Sequence, residues 1–329
     1  MADQLKWGII ATGSIAKSFA KGVNASKTGT LYGAASRTLE RATEFTDEFG
    51  GKPFGSYQEL LDDPEVDAVY IATPHHLHAE WTINAARAGK AILCEKPFTL
   101  NAVEAEKALA VVKETGVFFM EAFMYRCHPQ TILAKEILDS GKLGKILAIN
   151  GEFAFQAGHD WDNFRTTSSG GGGGLMDVGV YPISMSRFLI GEEPIKAAYM
   201  TPLNDKGYDG HGVGSMLFPG GAAVMFGTGI HVDMRNDVTV YCTNGRLHMS
   251  SPWFGNDSKL TVTVRGAEPE VHTFEDAPNL YAGEADAVAH FIEKGECPYM
   301  TPQDTLGNMR TLDALRASAD YKFDGEVTA

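Results

Sequence analysis

Leu5-Lys6-Trp7-Gly8-Ile9-Ile10-Ala11-Thr12-Gly13-Ser14-Ile15-Ala16 decides the fold. Leu5–Ile10 reads as a strand buried on both faces, and a turn of small residues leads from it straight into a helix expected over 15–23. Aligned on G-x-G-x-x-G/A, the three key positions are Ala11, Gly13 and Ala16. Gly13 lets backbone approach a pyrophosphate, and Ala16 lets the helix lie close on the strand. Ala11 replaces the first glycine, which the pattern tolerates if φ there is negative. Thr12, Ser14 and Ile15 complete a turn whose helix N-terminus would present N–H groups to an anion.

Outward from this turn, strands are expected at 30–35, 66–72, 91–94 and 117–120, alternating with helices at 39–49, 76–88 and 103–115. Asn101 with Glu104 forms a capping-box pattern before the last helix. Such alternation predicts a parallel, doubly wound sheet with helices on both faces. Where the second strand ends, an NAD site would place Asp or Glu to bind the ribose 2′-hydroxyl. The chain instead offers Ser36, Arg37 and Thr38, donors and a positive charge suited to a 2′-phosphate, so NADP is expected over NAD. After the third strand comes Ala72-Thr73-Pro74-His75-His76-Leu77-His78. No carboxylate or cysteine completes a metal shell there, so Ala72, Thr73, Pro74, His76 and His78 read as a loop covering the cofactor, and no metal is expected.

After about residue 145 the texture changes to strands at 145–155, 197–203, 213–218, 222–230, 238–242 and 260–264. Pro219-Gly220-Gly221 and Asn244-Gly245 supply hairpin turns, so this half reads as a largely antiparallel sheet. Helix returns around 286–293 and 305–319. The fold class is therefore α/β: a Rossmann domain over 1–123, then an α+β domain over 124–329 with a large, mostly antiparallel open sheet. The helix at 305–319 is expected to pack back on the first domain.

The chain has 329 residues and a formal charge of −14, which disfavours nucleic acid and anionic membranes as partners. No apolar run approaches the roughly 18 residues needed to span a bilayer. Met1-Ala2-Asp3-Gln4 shows no signal peptide, and four scattered cysteines without C-x-x-C spacing fit a reducing compartment, the cytoplasm by default.

The fourth strand ends in Glu95-Lys96-Pro97, and at the carboxyl edge of a parallel sheet a lysine faces the ligand crevice. Farther on, the glycine run 170–174 precedes Leu175-Met176-Asp177-Val178-Gly179-Val180-Tyr181-Pro182. In a helix Asp177 and Tyr181 share a face, and Pro182 predicts a kink or a local start. The glycines would let backbone pass close to cofactor or substrate. Together these pieces resemble the glucose–fructose oxidoreductase / inositol dehydrogenase (Gfo/Idh/MocA) family. The stretch Met120-Glu121-Ala122-Phe123-Met124-Tyr125-Arg126, with Tyr181 in the last motif position, looks most like its dihydrodiol dehydrogenase and NADP-dependent D-xylose dehydrogenase branch. Ala11 and Thr166-Thr167-Ser168-Ser169 depart from the family's habit.

The resemblance implies a hydride exchanged between a nicotinamide and a sugar hydroxyl, its carbonyl counterpart, or a cyclic vicinal diol. Tyr181 is the candidate acid/base, its phenolate favoured by Lys96 and by the oxidised ring. Lys96 would stabilise negative charge developing on the substrate oxygen, and Asp177 would orient either group. Exchanged roles for Lys96 and Tyr181 stay open. Glu95 and Arg165 are expected beside the cofactor, and Arg126, His159 and Trp161 at the substrate rim. The mechanism requires an ammonium from the first domain and a phenol from the second to converge on one oxygen. A reductase of a sugar-derived dicarbonyl or ketose, such as 1,5-anhydrofructose, is the alternative within enzymes. A cofactor-binding regulator without turnover is the alternative outside them. The open sheet face predicts a homodimer or higher homo-oligomer.

Overall fold

The computed structural model describes residues 4–158, 161, 163–324 and 326. Its chain divides into two compact units, one of Met1–Cys127 with Pro278–Leu306, the other of His128–Ala277 with Gly307–Thr328.

In the first unit β1 (Leu5–Ile10) leads to α1 (Ser14–Ala25), β2 (Gly29–Ala35), α2 (Leu39–Phe49), β3 (Lys52–Phe54) and α3 (Tyr57–Asp62). Then come β4 (Ala68–Ile71), α4 (His78–Arg87), β5 (Ala91–Glu95), α5 (Ala102–Thr115) and β6 (Phe119–Ala122). All six strands are parallel in the order β3-β2-β1-β4-β5-β6, so the chain reverses its winding between β1 and β4. Trp7, Ile9 and Ile10 are fully buried, as a strand covered on both sides requires. Phe19 of α1 stacks on Tyr70 of β4, and Ala16 and Ala20 bring the helix down onto the sheet. Asn101 caps α5 by accepting from the Glu104 N–H at 3.0 Å, while the Glu104 carboxylate accepts from the Leu100 N–H.

The second unit contributes α6 (Pro129–Asp139), β7 (Ile146–Ala154), a π-helical turn (Leu175–Gly179) and α7 (Val180–Ile190). It continues with β8 (Lys196–Met200), β9 (His211–Leu217), β10 (Ala223–Gly229), β11 (Asp237–Cys242), β12 (Gly245–Ser250), β13 (Lys259–Val264) and β14 (Glu270–Thr273). The eight strands run β14-β13-β12-β11-β7-β10-β9-β8. Every neighbouring pair is antiparallel except β7 with β10, which is parallel. The two expected hairpins are present at β9–β10 and β11–β12. Leu260 and Val262 are buried while Thr261 and Thr263 are half-exposed, the alternation that the sequence of β13 predicts.

Three departures from expectation are physical. First, the first compact unit runs on to Cys127 and regains chain after the second, through α8 (Leu280–Phe291). Its Asp286 carboxylate accepts from the Ser26 and Thr28 hydroxyls at 2.5 and 2.6 Å, and Gly22 leaves no room for a Cβ against Tyr281. The last helix, α9 (Pro302–Ser318), belongs from Gly307 onward to the second unit instead. Second, β3 and α3 are short; Pro53 sits on an edge strand, where a missing donor is tolerated. Third, α6 starts on Pro129 with His128 as its cap. Pro182 stands in the first turn of α7, directly after the π-helical turn, at the local start expected of it.

Candidate active site

In the first unit the turn after β1 holds a surprise: Ala11 has φ +73°. The negative φ that would excuse a side chain there is not what the backbone adopts, and an L-residue in this region is strained by roughly 1 kcal/mol. Gly13 is the converse, with φ −75° and nothing within 4 Å of where a Cβ would stand. Neither backbone conformation nor protein packing demands glycine at this position. The first turn of α1 carries no acidic residue and its cap no side-chain bond, so its N–H groups remain available to an anion.

Around this turn the Thr12 hydroxyl donates to Ser36 Oγ at 3.1 Å, tying the end of β2 to the loop after β1. Arg37 is exposed and makes no ion pair among the described residues. Thr38 is occupied as the N-cap of α2, accepting from the Arg41 N–H, which gives it a structural task. Beyond β4, Ala72 is fixed by its N–H bond to the Ile10 carbonyl, and the buried Thr73 hydroxyl has no hydrogen-bond partner among the described residues. Pro74 opens a short 3-10 turn, and His76 is exposed. These groups fit a dinucleotide: open N–H groups for the pyrophosphate, an unpaired guanidinium for a 2′-phosphate, and an orphan hydroxyl at the end of β4.

His78, expected as a cofactor contact, is fully buried, with Nδ1 2.9 Å from the Pro97 carbonyl and Nε2 2.8 Å from the Thr73 carbonyl. Burial, chiefly, pushes its pKa down to about 4. It acts as a clasp between the loops after β4 and β5. Glu95 also turns inward, accepting from the Tyr70 hydroxyl and, at 3.2 Å, from the Lys96 N–H. Lys96 is itself buried, at the carboxyl end of the sheet.

Arg126 is a further correction. Expected at the substrate rim, it is buried, pairing with Asp304 at 2.9 Å and donating to the Tyr299 carbonyl and the Tyr125 hydroxyl. A guanidinium taken out of water needs such partners. Glu121, just upstream, accepts from the Phe98 N–H, and burial pushes its carboxyl up to about 8.

In the second unit Asp177 and Tyr181 are both buried, the first in the π-helical turn and the second in α7. The Tyr181 ring meets Phe153 and Trp253 edge-on, with centroids 4.9 and 5.7 Å apart. Trp253 is anchored in turn by its bond to the Glu152 carbonyl. Asp177 Oδ1 accepts from Arg165 Nε at 2.8 Å. The Arg165 guanidinium lies over the rings of Phe164 and Trp161, and Trp161 is half-buried. Arg165 thus orients Asp177, a link that the sequence reading did not make. His159 lies outside the described residues.

The glycine run serves the protein's own packing. A Cβ on Gly172 would strike the Arg165 carbonyl, and one on Gly174 would sit 2.9 Å from the Gly229 backbone. The chain therefore presses the π-helical turn onto β10, where the Thr228 hydroxyl donates to the Gly174 carbonyl. Asp209 completes this arrangement and went unnoticed in the sequence.

A family model described as an oxidoreductase family with NAD-binding Rossmann fold matches residues 5–123, and one for the GFO/IDH/MocA C-terminal domain matches residues 131–248. The chain is 35% identical to a D-xylose 1-dehydrogenase (NADP(+)) of Haloferax volcanii, over 96% of its own length and 98% of that protein's. It is 33% identical to the trans-1,2-dihydrobenzene-1,2-diol dehydrogenase of Mus musculus, covering 76% of this chain and 75% of that one. A 3-ketoreductase from Actinomadura kijaniata, solved with NADP and TDP-benzene, superposes with a TM-score of 0.85 at 30% identity, covering 96% and 98% of the two chains.

Proposed function

This chain belongs to the Gfo/Idh/MocA family of NAD(P)-dependent oxidoreductases, and from that premise we propose that it is an NADP-dependent dehydrogenase acting on a sugar hydroxyl or a cyclic vicinal diol. The observation that carries the reading is the buried pair Asp177 and Tyr181, one on the π-helical turn and one on the helix that follows, with Asp177 held by Arg165. A phenol kept from bulk water, four residues along the helix from an oriented carboxylate, suits proton exchange with an alcohol. Relatives that name xylose and a dihydrodiol as substrates support the substrate class.

When bound, the nicotinamide accepts or returns the hydride. Tyr181 exchanges the hydroxyl proton, and Lys96 stabilises the negative charge that develops on that oxygen. Asp177 and Arg165 orient the acceptor side, while Glu95 and His78 set the backbone around Lys96. Arg37 and Ser36 take the 2′-phosphate, and Gly13 with Ser14 and Ile15 takes the pyrophosphate. Trp161 lines the substrate side.

The outer face of the second sheet supports a homodimer. One row of residues in register across all eight strands runs Ala198, Ser215, Met225, Asn150, Thr239, His248, Thr261 and Val271. Met200, Met225 and Val271 are 69%, 60% and 58% exposed there, with Val213 and Tyr241 close behind. These five exposed apolar side chains on a face otherwise lined mostly by polar residues favour its burial against a second copy. Four free thiols fit a reducing cytoplasm.

Nicotinamide absorbance with aldoses, cyclic diols and sugar-derived dicarbonyls tests the assignment. Turnover with aldoses or diols and NADP is expected, with much lower efficiency on NAD. Tyr181→Phe should lower kcat by roughly 10²–10⁴ with cofactor affinity little changed. Lys96→Ala should cost at least about 10². Wild-type turnover in either variant ends this mechanism, and a monomer at micromolar concentration in sedimentation ends the dimer.

A further inference from the structure

Asp209 is fully buried in the second unit and makes no ion pair among the described residues. Its Oδ2 accepts from the Tyr199 hydroxyl at 2.6 Å and from the Leu175 N–H at 2.7 Å. Leu175 is the first residue of the π-helical turn. The Asp209 carbonyl accepts from the Gly174 N–H at 2.8 Å, and the Tyr321 hydroxyl ties down the Gly172 carbonyl at 2.7 Å. Gly173, with φ +105°, turns the chain here, and a Cβ on it would collide with Asp209 Oδ1. The Asp177 N–H bonds to the Gly173 carbonyl at 3.0 Å, so the next step of the chain starts from this socket.

We propose that Asp209 is a positioning residue for Asp177 and Tyr181: its carboxylate, as an anion, anchors the start of the π-helical turn and so sets the rotation at which both side chains are presented. The proposal rests on the reading of Asp177 and Tyr181 given above. Each residue of slip along a helix turns a side chain by about 100° and moves it about 1.5 Å. Bonds to a charged acceptor are roughly twice as strong as neutral ones, so neutralising Asp209 loosens the anchor. An anion at the N-terminal end of a helix also complements the helix dipole.

The ionisable groups facing Asp209 are the phenols of Tyr199 on β8 and Tyr321 in the C-terminal segment, both pushed up by burial beside it. Next come Arg316, which acts on Tyr321, and the His231 ring, 3.3 Å from where a Gly210 Cβ would stand and bonded to the Tyr208 hydroxyl. Burial raises the Asp209 carboxyl to about 6, and the Tyr199 and Leu175 donors pull it back. As pH falls through that value the anchor weakens, and turnover falls with it.

The test is a pH titration of the full chain labelled with [15N]leucine, read beside kcat. The Leu175 amide should shift with a midpoint near 6, and the acid limb of kcat should follow it. Tyr199→Phe removes one donor, so both midpoints should rise together by roughly half a unit or more, with KM for the cofactor unmoved. Asp209→Asn should lose the amide titration and lower kcat at least about tenfold above pH 6, the two proteins converging as the wild-type carboxyl is protonated below it. A Leu175 amide that does not titrate, or a kcat limb that stays in place while the amide midpoint moves, overturns the proposal. Tyr181→Phe measured alongside separates the two readings. Wild-type turnover in that variant overturns the chemistry assigned to Tyr181, and the positioning role with it, whatever the amide does.

Discussion

Gly13 and Gly173 both belong to glycine-bearing turns that enter helices, yet they use the missing side chain in opposite ways. Gly13 keeps an ordinary φ of −75°, and its absent Cβ faces open space. Gly173 has φ +105°, and its absent Cβ would run into Asp209 and the Tyr321 hydroxyl. The first vacancy is left for something other than the protein, a phosphate in the reading above; the second is filled by the protein itself. A glycine therefore marks a ligand only where neither dihedral angle nor neighbour explains it.

Three substitutions press on this contrast. Gly173→Ala should be the most damaging, destabilising the chain by at least about 3 kcal/mol in denaturant unfolding, because strain and collision act together. A well-folded Gly173→Ala chain would mean that the socket around Asp209 is soft. Gly13→Ala should leave stability within about 1 kcal/mol of wild type, a lost cap preference offsetting a stiffer unfolded chain. Its NADP Kd should nonetheless rise about tenfold or more, equivalent to about 1.4 kcal/mol, by calorimetry. Unchanged affinity would empty Gly13 of its assigned role. Ala11→Gly is the mildest: relief of about 1 kcal/mol of left-handed strain, less about 0.4–1 kcal/mol of entropy gained by the unfolded chain, should leave stability unchanged or raised by up to roughly 0.6 kcal/mol in thermal unfolding. A loss of stability would show that the Ala11 methyl is held by packing worth more than its strain.

Much of the first unit was legible because buried parallel strands and their helices carry strong periodic signals. The ends of α2 coincide with expectation, and β1 differs in no residue. Short elements escaped: β3 and α3 have three and six residues and owe their form to burial against β1 and β2. The sign of φ at Ala11 could not be read from the residue type, since only the surrounding backbone imposes it. The task of a motif residue was harder to read than its place in the chain. His78 and Arg126 read as ligand contacts because both follow strand ends, yet their partners are carbonyls and a carboxylate, one of them 178 residues away. Asp209 sits in Tyr208-Asp209-Gly210, a stretch indistinguishable from any polar turn until the glycine run folds over it.

The passage of Pro278–Leu306 into the first unit has a consequence for how the protein is made. A growing polypeptide that has released all six parallel strands from the ribosome still lacks Asp286, which bonds the Ser26 and Thr28 hydroxyls, and Tyr281, which covers Gly22. It also lacks Asp304, the counter-charge of the buried Arg126. The nucleotide unit therefore cannot reach its final form during translation until the intervening residues His128–Ala277 have emerged, and during that interval the face of α1 that Tyr281 covers stays open.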